Sequence, residues 1–145
     1  MKKKSKKALF DPRCPGAKMI FYGAILLIIA GCINAYTSWV LVVGVLFKMA
    51  QSGDVFGYTF SLCAQVALAF LVAVDGINHR NHPSKARGIL VKAICALIIA
   101  VAFMLQLGTF EGNEWGVVAA GITIAGATVM AIGAFKNATM AGGKK

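Results

Sequence analysis

The chain has 145 residues, is 59% apolar and 14% charged, and carries a formal net charge of +10. Its mean hydropathy is +0.75. Soluble domains carry about 25% charged residues, so the composition excludes an ordinary water-soluble domain. The basic excess sits at the ends of apolar runs and forms no single patch. That excludes a nucleic-acid groove and points to topology signals and attraction to anionic lipid headgroups.

Residues 1–18 form a basic arm carrying Lys2, Lys3, Lys4, Lys6, Lys7, Arg13 and Lys18. Pro12, Pro15 and Gly16 argue against a stable helix there. The arm reads as an orientation signal, its attraction to acidic lipid worth on the order of 1 kcal/mol per basic residue near the surface.

Residues 19–47 are one apolar run. A span needs about 20 residues, so this first helix is expected to tilt, protrude or bend near Asn34–Ser38. Gly23, Ala30, Gly31, Asn34, Thr37 and Ser38 share one broad face, which is expected to meet other helices. Ile29-Ala30-Gly31-Cys32 matches a bacterial lipobox. The apolar run continues well past Cys32, however, whereas a signal peptide's apolar core is about 7–15 residues long. The segment therefore reads as an uncleaved first span.

A short external loop, 48–54, leads to a second span over 55–74. Tyr58, Ser61, Gln65 and Asp75 lie on one helical stripe. Gln65 and Asn34 are both expected at mid-depth, where an interhelical amide pair is worth roughly 0.6–2 kcal/mol. Asp75 is expected at the inner mouth.

The polar stretch 76–87 reads as a basic cytoplasmic loop, with Pro83 suited to a first helical turn. The third span is 88–107. Gly88, Lys92, Cys95, Ala102 and Gln106 line one of its stripes. Lys92 lies at the depth of Asp75, and a pair across the hairpin is favoured over simple snorkelling. A second external loop, 108–114, carries Glu111 and Glu114. In the fourth span, 115–135, Gly116, Ala120, Thr123, Ala127, Ala131 and Ala134 fall in one narrow sector. Such a face of small residues lets membrane helices approach closely. Residues 136–145 read as a short basic cytoplasmic tail.

Charge decides topology. The arm, the 76–87 loop with Lys92, and the tail together hold 14 of the 15 basic residues, leaving only Lys48 with Asp54, Glu111 and Glu114 on the other side. The positive-inside rule places both termini in the cytoplasm. The expected fold is thus an all-α integral membrane protein: a four-transmembrane-helix bundle, N-in/C-in, made of two hairpins joined by a basic loop.

Catalytic chemistry finds little support. The four cysteines, Cys14, Cys32, Cys63 and Cys95, show no metal-ligand spacing. Asp75, His79 and His82 are weighed as metal ligands, but Gly76 and Pro83 suggest a solvated loop. No nucleophile with its base, nucleotide loop or paired carboxylate emerges, so no enzyme, metal or cofactor is expected. The expected function is that of a non-catalytic component: an accessory or structural subunit of a membrane assembly, or a homo-oligomer. Its partners are anionic headgroups at the inner face and either another membrane protein or a second copy. The alternative is a small channel, transporter or holin-like pore. A conduit requires polar side chains around a wet cavity, whereas a packing subunit requires a dry core and an open apolar groove. Short loops with positive-inside bias fit a multi-pass protein of a prokaryotic plasma membrane.

Overall fold

The computed structural model describes residues 9–48, 53–107 and 114–142, with side chains described for 9–40, 60, 62–105 and 114–140. They form α1 (Ala17–Lys48), α2 (Gly53–His79), α3 (Ala86–Leu107) and α4 (Glu114–Gly142), with a 3-10 turn at Pro83–Lys85. Among the described residues there is no strand. Four helical segments among the described residues are long and apolar enough to cross a membrane: Ala17–Val40, Leu62–His79, Pro83–Leu105 and Glu114–Met140. Phe60, Leu71, Trp39 and Leu105 point outward and are exposed. Lipid favours such a surface, which a soluble fold avoids.

The helices outrun the apolar runs. α2 continues through Gly76 to His79, so the expected 76–87 loop shrinks to Arg80, Asn81 and His82 before the 3-10 turn. Gly76 is no breaker here. It is buried where an added Cβ would meet the Met130 side chain and, at 3.3 Å, Ile20. α4 likewise runs on to Gly142, through most of the expected tail. Lys48 belongs to α1 and Gly53 and Asp54 to α2, while most of the expected external loops lies outside the described residues.

α4 packs most extensively on α1 and then on α3, α1 also packs on α2, and α2 and α3 touch least. The α1–α4 contact is built on glycines. A Cβ at Gly23 would lie 2.6 Å from the Gly126 carbonyl oxygen, and one at Gly126 would lie 3.0 Å from that of Gly23. A Cβ at Gly133 would lie 2.7 Å from the Gly16 carbonyl oxygen. The two contacts are seven residues apart on each antiparallel helix, close to two full turns, so one face keeps returning to its partner. Ala30 and Ala119, a further seven along, are fully buried. Without a hydrophobic drive between helices in lipid, such close backbone approach supplies the van der Waals contact that holds them.

Two apolar cores result. The larger gathers Ile20, Leu27, Val72, Ile89, Ala93 and Met130 toward the end that carries the α2–α3 turn. The smaller, Leu62, Phe103 and Ala120, lies toward the other end. Among the described residues, Asn34, Ser38, Gln65 and Thr123 are the polar ones buried within the apolar segments, and Asn137 is buried at the turn end.

Candidate functional site

The turn end of the bundle is closed by a strap, residues 9–16. Asp11 starts it: its carboxylate accepts the Arg13 backbone N–H at 2.9 Å, and its carbonyl accepts that of Cys14 at 2.9 Å. Such Asx turns give a short segment its own hydrogen bonds where no helix can form. The α2–α3 turn then grips it. Asn81 Oδ1 accepts the Asp11 N–H at 3.0 Å, and Asn81 Nδ2 donates to the Leu9 carbonyl at 3.2 Å. Arg80 Nε donates to the same carbonyl at 3.1 Å, and Arg80 Nη1 donates to the carbonyl of Ile77. The Arg80 guanidinium lies 5.4 Å from the Phe21 ring and 5.9 Å from Phe10, within cation–π reach of both.

Asn137 ties three elements together. Its Oδ1 accepts the buried Gly16 N–H at 2.7 Å, and its Nδ2 donates to the Arg80 carbonyl at 3.2 Å. One side chain thereby satisfies the N–H of Gly16, just before α1, and the orphan carbonyl after α2. Cys14, within this strap, is buried. Burial, helped by the nearby Asp11 carboxylate, pushes its thiol above the ordinary value. The thiol therefore stays protonated and unreactive at neutral pH.

At the α2–α3 seam, Lys92 Nζ lies 2.9 Å from Asp75 Oδ2. His79, one turn along α2, places Nδ1 3.1 Å from Asp75 Oδ1. The continuous helix makes this second contact by setting His79 one turn from Asp75 on the same face. His82 stands apart, its ring centroid 6.1 Å from that of His79. Among the described residues no three His, Cys, Asp or Glu side chains converge as metal ligands.

The intramembrane polar residues divide by type. Thr37, Ser38, Thr123 and Thr128 each donate to the carbonyl four residues back, at 3.0, 2.7, 2.8 and 2.7 Å. Hydroxyls can satisfy themselves along their own helix. The amides do not. Asn34 Oδ1 and both side-chain polar atoms of Gln65 are buried without a hydrogen-bond partner, so the expected Asn34–Gln65 pair is not formed. Leaving a buried polar group unmet costs roughly 1–3 kcal/mol. A cavity of about 10 Å³ lies beside Gln65 and Thr123. The side chain of Gln106 lies outside those described.

On α4, Gly116, Ala120, Thr123, Ala127 and Ala134 are buried and Ala131 is half-buried. The closest contacts fall instead on Gly126 and Gly133, beside that sector. Their seven-residue spacing, repeated at Gly16 and Gly23, is the signal that could have marked them. Asn137, Arg80 and Asn81 gave no such signal, because their partners are backbone groups distant in sequence.

A second concavity, of about 350 Å³, opens between α1 and α2 and is lined by Ala35, Ser38, Trp39, Cys63, Val66 and Ala67. Ser38 spends its hydroxyl on Asn34, so the surface is almost wholly apolar. The chain matches no protein-family model, no curated protein and no solved structure.

Proposed function

We propose that this protein is a non-catalytic component of a cell membrane that works by helix packing, as an accessory or structural subunit of a membrane assembly or as a homo-oligomer. The observation that carries the reading is the contrast between two concavities among the described residues. The apolar groove between α1 and α2 measures about 350 Å³, whereas the cavity inside the bundle measures about 10 Å³. A conduit needs the reverse. The groove's small side chains, Ala35, Cys63 and Ala67, allow a further transmembrane helix to approach closely. In this reading the chain crosses a plasma membrane four times with both termini in the cytoplasm. The basic arm and the α2–α3 turn then lie against anionic headgroups.

The alternative, a small channel, transporter or holin-like pore, draws on the buried amides Asn34 and Gln65, which are costly in lipid unless used.

A tagged chain recovered from native membranes in mild detergent, with its native mass measured, tests the proposal. Stoichiometric recovery with another membrane protein or as a homo-oligomer is expected, and Ala67→Phe, which fills the groove, should abolish it. A monomer that conducts ions or solutes in liposomes would overturn the packing role and establish the alternative.

A further inference from the structure

We infer that Gln65 and Thr123 hold a single water molecule inside the bundle, in the cavity between α2, α3 and α4. Gln65 is 5% exposed and Thr123 7%. Neither polar atom of the Gln65 amide has a partner. The amide borders a cavity of about 10 Å³ that Thr123 also lines. That is about the least space that admits one water. Leu68, Ala69, Ala96, Ile99 and Ala100 form the apolar part of the wall, so no other side chain there can meet the amide.

One water meets Thr123 Oγ1 and one of the two unpartnered polar atoms of the Gln65 amide. Thr123 Oγ1 gives its proton to the Ala119 carbonyl at 2.8 Å, which leaves the hydroxyl as an acceptor only. The water donates to Thr123 Oγ1. It then either accepts from Gln65 Nε2 or donates to Gln65 Oε1, two arrangements that differ by an amide flip. Both give the water the minimum of two partners. The cost of immobilising a water is smaller than that of leaving the amide unmet.

The site lies deep. Thr123 is 14 residues from Asn137 and Gln65 is 14 from His79. At about 1.5 Å per residue, both stand roughly 21 Å from the turn end. The apolar cluster of Leu62, Phe103 and Ala120 lies farther along. The packing role proposed above draws on the same cavity, and one enclosed water leaves it in place because a conduit needs a continuous wet path.

Proton-detected solid-state NMR of the full-length chain in lipid bilayers provides the test. The sequence contains three glutamines, Gln51, Gln65 and Gln106, so selective 15N-glutamine labelling yields three side-chain signals. Gln51→Glu and Gln106→Glu identify the Gln65 signal without touching the site. The expected result is a cross-peak between the Gln65 NH2 protons and water, lost in Thr123→Val. A resolved Gln65 signal with cross-peaks only to aliphatic protons overturns the inference. So does a water cross-peak that survives Thr123→Val undiminished.

Discussion

The α1–α4 contact and the α2–α3 seam solve the same problem in opposite ways. Along α1 and α4, glycines let backbone touch backbone, and contact returns every two turns. Along α2 and α3, the helices touch least, and one ion pair, Lys92 to Asp75 at 2.9 Å, joins them near the turn end. A Cβ at Gly88, one turn before Lys92, would meet nothing within 4 Å. In lipid, close packing is worth more than a half-exposed charge pair. The bundle is therefore a rigid α1–α4 spine with α2 and α3 attached to its two sides.

The largest expected effect comes from breaking the spine. Gly126→Leu forces α1 and α4 apart, because the first added carbon already meets Leu26 Cβ at 2.9 Å. A loss of about 3 kcal/mol or more is expected, read as a fall in thermal midpoint in detergent. Ala125→Leu, on the exposed face of the same helix, should change stability by less than about 0.5 kcal/mol.

Next comes the clamp at the turn end. Asn137→Ala leaves the buried Gly16 N–H unmet and frees the strap, at a cost on the order of 2 kcal/mol. It should also speed alkylation of Cys14, followed by mass spectrometry. Unchanged labelling would show that the strap is held by other contacts.

The seam should respond least. A double-mutant cycle on Asp75→Asn and Lys92→Gln should give a coupling of roughly 0.5–1 kcal/mol, since Lys92 is half exposed. A coupling as large as the spine effect would erase the distinction between the two contacts.

Cys14 adds a pH dependence. Its thiol titrates above its ordinary value in the folded chain. The neutral thiol's contribution is therefore fully present below the unfolded thiol's pKa and is lost as pH rises through the higher folded one. A fall in thermal midpoint should begin only in the alkaline range, and Cys14→Ser should remove that onset.

Much of this architecture is legible in the chain. Long apolar runs demand helices, and the shared depth of Asp75 and Lys92 follows from counting residues along two spans. The face of α4 that carries Ala120, Thr123 and Ala127 is visible from helical spacing alone. Which small residues touch is not. Ala127 and Gly126 are neighbours on the helix surface, and only the rotation of α4 against α1 selects the glycine. Gly76 reads as a turn because glycine in a polar setting usually breaks helices, yet here it is a contact residue under Met130. Asn137 was hidden because its partners, Gly16 and Arg80, are joined to it only by the completed fold.

One comparison tests the spine most directly: Gly121→Ala against Gly126→Ala, measured as thermal stability of the purified chain. Both glycines lie in α4 five residues apart, but a Cβ at Gly121 meets nothing within 4 Å, whereas one at Gly126 meets α1. Gly121→Ala should stabilise by about 0.5–1 kcal/mol through helix propensity alone. Gly126→Ala should destabilise by about 1–3 kcal/mol. Opposite signs are the predicted result. Equal stabilisation at both positions would mean that α1 and α4 do not meet backbone to backbone, and would contradict the spine.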